Sequence, residues 1–159
     1  MDADTRIALP DCVVNCAAYD RAGRRRNIGL DAISDVLAVD DGSFVWVGLY
    51  EPADSILEKL QEEFCLHDLA IEDAQNAHQR PKLEAYGNSL FVAVHTAQVV
   101  DDRILFGETH AFLGPRYLVT VRHGASLSYA PARARVEREP DLLAPPGEPS
   151  SSKNSTFAL

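Results

Sequence analysis

Basic residues are scarce in this chain: 15 Lys and Arg stand against 24 Asp and Glu in 159 residues, a formal charge of −9 with histidine neutral. Nucleic-acid binding depends on Lys and Arg displacing condensed counterions from a phosphate backbone, so this balance argues for no nucleic-acid partner and favours cationic ones. Long apolar runs are missing too. The best of them, Leu90-Phe91-Val92-Ala93-Val94, stops at His95, well short of the roughly 20 residues that cross a bilayer. The N-terminus, Met1-Asp2-Ala3-Asp4, is acidic where a secretory signal is basic, and no apolar stretch follows it. A soluble, cytoplasmic piece is the expectation. Three cysteines cannot all pair, and if Cys12 and Cys16 share a strand their spacing puts them roughly 13 Å apart, beyond disulfide reach. They read as small buried hydrophobes in a reducing compartment.

The catalytic signatures are absent as well. The five histidines, His67, His78, His95, His110 and His123, never take an HExxH spacing, and no CxxC or Cys/His cluster occurs. His95 and His110 interrupt strand-like runs and are expected as polar positions on a sheet surface. No glycine-rich phosphate loop is present. Ser126 and Ser128 lie near His123 without the strand-turn-helix context of a nucleophile elbow. The chain therefore reads as no enzyme; a hydrolase would need Ser126 or Ser128 to converge on a histidine.

What is present is one domain's worth of residues, 46% apolar and 25% charged, the profile of a globular chain with a single core. Cys12 to Tyr19 reads as a first strand, ending in a basic turn that holds Arg24-Arg25-Arg26, a solvated turn or an interface patch. Leu30, Ile33, Val36 and Leu37 recur at helical offsets, and Phe44 to Leu49 is a strand covered on both faces. Pro52 is expected in the first turn of a helix whose stripe is Ile56, Leu57, Leu60 and Phe64. A further helix is expected from Leu69 to about Ala77, capped by Asp68 and closed before Pro81. Strands follow at Leu83 to Tyr86, Ser89 to Val100, Arg103 to Leu113 and Tyr117 to Val121, with connections short enough for antiparallel neighbours. A last helix runs from near Ala132 to Arg138. The pattern predicts an α/β fold, a mixed parallel and antiparallel sheet flanked by helices, over residues 1–143. Residues 144–159, rich in Pro, Ser and Gly, are expected as a disordered or non-native tail.

Acidic residues concentrate between Glu51 and Asp73, where Lys59 is the one basic residue. Asp54, Glu58 and Glu62 fall at successive i, i+4 positions and stack like charges on one helix face. Two readings stand: a solvated acidic face, or a surface for hard divalent ions such as Mg²⁺ or Ca²⁺, which prefer carboxylate and water oxygens. No EF-hand spacing is present, so an ion here would be weakly held, largely hydrated, or shared with another chain.

The block from Phe64 to Glu84 contains Leu66-His67-x-Leu69-x-x-Glu72-Asp73 and Gln79-Arg80-Pro81-Lys82-x-Glu84, a long and specific pattern that resembles the soluble N-terminal domain of the CorA family of divalent-cation transporters. Phe44 to Leu49, and the strands from Phe112 to Gly114 and Tyr117 to Val121, fall where that domain has comparable elements, and the similarity covers Cys12 to Leu143. The resemblance implies a mixed sheet flanked by helices. It implies a full-length homopentamer in the inner membrane that carries Mg²⁺, also Co²⁺ or Ni²⁺, or Zn²⁺ in a related branch. The family's stalk helix, its two spans and its Gly-Met-Asn motif have no counterpart here, the only methionine being Met1, so contact with the membrane is expected only through segments outside these residues. By the same resemblance Asp73 matches a carboxylate that helps hold a weak regulatory Mg²⁺ between subunits, with Glu72 the second candidate and the partner acid on the stalk. Gln79 to Lys82 is expected as a structural turn in which Arg80 or Lys82 pairs with an acid of the helices. The function implied is a soluble, ion-sensing regulatory domain of a transporter; the alternative is a standalone adaptor or protein-interaction domain.

Overall fold

A computed structural model describes residues 7–143; the expected tail at 144–159 lies outside them. Seven strands form one sheet in the order β2-β1-β3-β7-β6-β5-β4: β1 Val13–Tyr19, β2 Arg25–Asn27, β3 Phe44–Tyr50, β4 Lys82–Tyr86, β5 Ser89–Val100, β6 Arg103–Gly114 and β7 Tyr117–Gly124. All neighbours are antiparallel except β3 and β7, which run parallel. The helices are α1 Ile33–Ala38, α2 Asp54–Phe64, α3 Asp68–Gln75 and α4 Ala130–Arg138. The mixed sheet with flanking helices is the predicted fold class.

Strand alternation assigns the two faces. Cys16 and Ala18 on β1, Val45, Val47 and Leu49 on β3, Val119 and Val121 on β7, Phe112 on β6, and Phe91 and Ala93 on β5 all point to one side and are buried. Onto them pack Ile33 and Val36 of α1, Leu57, Leu60 and Phe64 of α2, and Ala70, Ile71 and Ala74 of α3, each helix presenting residues three and four apart. Burying a side chain the size of Leu60 or Phe91 contributes about 1.5–3 kcal/mol, which makes this side the main source of stability. The opposite face carries a smaller cluster, Ala17, Tyr19 and Trp46, against which Tyr129 and Val136 of the α4 segment rest. The residues of β3 are covered on both faces, as its unbroken apolar character predicts.

Several local expectations are corrected. Pro52 lies before the N-cap Ala53 rather than inside α2. The cap of α3 is His67, whose Nδ1 accepts the Leu69 N–H at 3.2 Å, and Asp68 is the first helical residue. A short strand, β2, occupies part of the expected basic turn. Asp54, Glu58 and Glu62 are exposed, which fits the solvated-face reading. Their neighbour Glu63 instead turns inward, where its carboxylate accepts the Ser34 N–H at 2.9 Å and pairs with Lys59 at 2.7 Å.

The cysteines also divide. Cys16 is buried and its thiol is pushed up to about 12 by loss of water, whereas Cys65 is exposed in the left-handed region, φ 54°, where it closes α2. Cys65 is therefore not the small buried hydrophobe expected. A thiol reagent added at pH 8 should modify Cys65 within minutes and leave Cys16 unmodified until the chain unfolds; rapid modification of Cys16 in the folded protein, read by mass spectrometry, would contradict this burial.

Candidate functional site

The two sequence-predicted metal residues sit side by side on α3 but face different surroundings. Ala70, Ile71 and Ala74 commit one side of this short helix to the core, so Glu72 points outward and is exposed. Asp73 falls on the shoulder next to the edge strand β4. Its side chain is 22% exposed, and its Oδ2 receives the Lys82 ammonium at 2.5 Å. The expectation that Arg80 or Lys82 pairs with an acid of the helices is met by Lys82. No group of three or more His, Cys, Asp or Glu side chains converges to hold a metal among the described residues.

Beneath α3 the inward side of β4 is polar. Lys82 also reaches Glu84 Oε2 at 3.4 Å, and Tyr86 donates its hydroxyl to the same oxygen at 2.6 Å. His67 stacks on the Tyr86 ring, with centroids 4.2 Å apart. The Lys82 ammonium lies 5.7 Å from the centre of the buried Phe91 ring. Hydrogen bonding to Asp73 is the largest influence on Lys82 and raises its pKa, with Glu84 acting in the same direction. The Tyr86 hydroxyl and Lys82 hold the Glu84 carboxyl below its ordinary value.

The segment that joins α3 to β4 is tied down by a second polar group that the sequence reading missed. Glu108 on β6 is buried, 6% exposed. Its two oxygens accept the backbone N–H groups of His78, at 2.7 Å, and Gln79, at 2.9 Å. Oε1 is also bonded by His110 Nε2, and because a carboxylate only accepts, that nitrogen carries the proton. Burial alone would raise the Glu108 carboxyl, but the bonds from His110, Gln79 and His78 outweigh it and hold the group below its ordinary range. Burial pushes the His110 imidazole below its ordinary range despite Glu108. His110 is 0% exposed, so it is a core residue and not the surface position expected. The signal was available in the alternation Phe106, Glu108, His110, Phe112, which places it on the same face as a core phenylalanine. Four of the five histidines gather here: His123 packs against His110 with ring centroids 5.4 Å apart and bonds Glu51 at 3.2 Å, while His95 Nε2 contacts the Gln79 carbonyl at 2.6 Å. His78, His95 and His123, with Ala77, Phe106 and Glu108, line a pocket of about 350 Å³. Ser126 is buried against Thr109 on the opposite face of the sheet, and its hydroxyl meets no histidine.

An acidic helix shoulder beside an edge lysine is not diagnostic alone, but the whole segment from 41 to 149 matches the family model described as CorA-like Mg²⁺ transporter protein. The chain belongs to that family. A curated relative, the putative metal ion transporter YfjQ of Bacillus subtilis (strain 168), is 32% identical over 103 residues, which cover 65% of this chain and 32% of that one. The chain thus spans about a third of the length of the relative it matches. Among solved structures, the complete CorA magnesium transporter from Methanocaldococcus jannaschii aligns over 81% of this chain and 38% of its own, with TM-score 0.55 and 15% identity. The ZntB cytoplasmic domain from Vibrio parahaemolyticus RIMD 2210633 aligns over 80% of this chain and 50% of its own, with TM-score 0.51 and 9% identity. Those two likenesses speak to fold. The sheet and helices of this CorA-family chain share the fold of the matched parts of those two structures. No helix among the described residues is long and apolar enough to cross a membrane.

Proposed function

We propose that this chain is the regulatory, ion-sensing domain of a CorA-like divalent-cation transporter, with Asp73 as its contribution to an ion site between subunits. The observation that carries the reading is the position of Asp73 within the matched segment: a half-buried carboxylate on the shoulder of α3, beside the edge strand β4. Mg²⁺ keeps most of its water and is typically held by one or two carboxylates, and a single oxygen donor set of this kind fits a weak, hydrated ion completed by an acid of another segment. Glu72, exposed one position away, adds negative charge without sharing the site. In the whole protein, a homopentamer of the inner membrane on this reading, such an ion offsets repulsion between acids of neighbouring subunits. Its loss favours their separation and biases the pore toward opening. The transported cation is Mg²⁺, with Co²⁺, Ni²⁺ or Zn²⁺ as the family's other cargoes. On this reading the domain is residues 1–143.

The test uses the longer chain that carries the stalk. Millimolar Mg²⁺ should raise the thermal midpoint of the assembled wild type and should leave that of Asp73→Ala unmoved. An Asp73→Ala protein that still responds to Mg²⁺ like the wild type removes Asp73 from the role.

A further inference from the structure

Lys82 stands between two carboxylates and lies closer to one of them. Its ammonium is 2.5 Å from Asp73 Oδ2 and 3.4 Å from Glu84 Oε2, so one positive charge is shared by two negative ones on the inward side of β4. The ammonium lies over the Phe91 ring, 5.7 Å from its centre, and the lysine side chain is only 27% exposed, which confines the ammonium to this strip. Asp73 is thus already neutralised in the ion-free domain, and any cation arriving there competes with a tethered one. Glu84 gives the displaced ammonium somewhere to go, since a small rotation closes the 3.4 Å separation to hydrogen-bond length. Tyr86 fixes that second position by holding Glu84 through its hydroxyl at 2.6 Å.

We propose that Lys82 is an internal competitor for the divalent ion at Asp73, handed over to Glu84 when the ion binds, and that it sets the weak affinity of the site. The inference rests on the reading of Asp73 as an ion ligand. A monovalent ammonium and a hydrated divalent ion then exchange on one carboxylate, and the threshold concentration for sensing is tuned by how firmly Lys82 is held.

The experiment is a titration of the longer chain that carries the stalk with MgCl₂, followed by the backbone amide signals of Asp73 and Lys82. Lys82→Met keeps the apolar stem and removes the charge; its apparent Kd for Mg²⁺ should fall about ten-fold, the factor that corresponds to roughly 1.4 kcal/mol. Lys82→Gln, which retains polarity should Met disturb the fold, is expected to move in the same direction. Glu84→Gln should weaken binding in the wild-type background and do little in the Lys82→Met background, a coupling that a purely structural lysine would not produce. Kd values for Lys82→Met and Lys82→Gln equal to the wild type, while Asp73→Asn abolishes the shifts, would overturn the role of Lys82 and leave that of Asp73 standing. Shifts that persist unchanged in Asp73→Asn would remove the ion from Asp73 and the competitor with it. Absence of any shift in both wild type and Lys82→Met at tens of millimolar MgCl₂ would overturn the proposal as well.

Discussion

Replacing Glu108 by alanine is expected to lower the stability of the domain by about 3 kcal/mol or more, a large part of the 5–15 kcal/mol typical of a folded domain. The change removes a buried carboxylate that accepts from His78 N–H, Gln79 N–H and His110 Nε2. Each donor left without a partner costs about 1–3 kcal/mol, offset in part by water entering from the adjoining pocket. The backbone consequence is local: the segment between α3 and β4 loses its anchor to β6, and the shoulder that carries Asp73 loosens with it. Glu108→Gln keeps one acceptor and should cost roughly half as much. Urea denaturation checks this, with the midpoint falling at an unchanged m-value; a midpoint within error of the wild type for Glu108→Ala would mean that the three bonds contribute nothing net.

The same pair gives a pH dependence with a definite sign. Both His110 and Glu108 have folded pKa values below their ordinary ones. For His110 the unfolded chain takes up a proton near about pH 6.5 while the folded chain stays neutral, so stability present at neutral pH declines as the pH falls below that value. For Glu108 the stabilising contribution is present above about pH 4.3 and is lost as the pH falls through the depressed folded value. Both slopes run the same way, toward acid instability. His110→Leu should flatten the upper limb, between about pH 6.5 and 5, and leave the lower one in place.

Most of the sheet was legible because its strands alternate cleanly and are joined by short turns. Ser89 to Val100 was predicted with the bounds it has, and the antiparallel run from β4 to β7 follows from turns such as Gly87-Asn88 and Asp101-Asp102. The strand order was not legible, since the parallel pairing of β3 with β7 joins Val45 to Tyr117 across nearly half the chain and leaves no local trace. β2 escaped notice for a related reason: Arg25-Arg26-Asn27 has no apolar alternation and is a strand only because β1 offers its edge. Asp73 was singled out by motif resemblance, while charge alone left the ion pair open between Arg80 and Lys82 and named no particular acid of the helices. Glu108 and His110 were missed because polar residues in a strand were assigned to the surface, whereas here they satisfy one another and two backbone donors inside.

Gly107→Ala is the second change expected to have a large effect, and its mechanism is steric. After β7 the chain turns at Gly124, φ +63°, and crosses β6 so closely that a Cβ on Gly107 would sit 2.6 Å from Ser126 N, 2.8 Å from the Ala125 carbonyl carbon and 2.8 Å from Thr96 Oγ1. Two of these atoms are backbone, so the loop must lift. Lifting it strains the bond from Gln98 Nε2 to the Ala125 carbonyl, the contact of Thr109 with Ser126, and the bond from Arg122 to the Ser126 carbonyl. The loop leads directly into α4, whose Val136 and flanking Tyr129 cover Trp46. Overpacking of this kind costs about 1–3 kcal/mol, and the disturbed hydrogen bonds place Gly107→Ala at about 3 kcal/mol. Gly87 is the comparison: its backbone is left-handed, φ +62°, but an added Cβ meets nothing within 4 Å, so Gly87→Ala should cost only the conformational term of about 1–2 kcal/mol. Trp46 is the chain's only tryptophan and is 5% exposed, so its fluorescence separates the two variants without ambiguity. Gly107→Ala should shift the emission of the folded protein to the red as α4 loses its seat, and Gly87→Ala, on the far edge of the sheet, should leave it where it is. Emission and urea midpoint both unchanged in Gly107→Ala would show that the crossing loop can rise without carrying α4 with it.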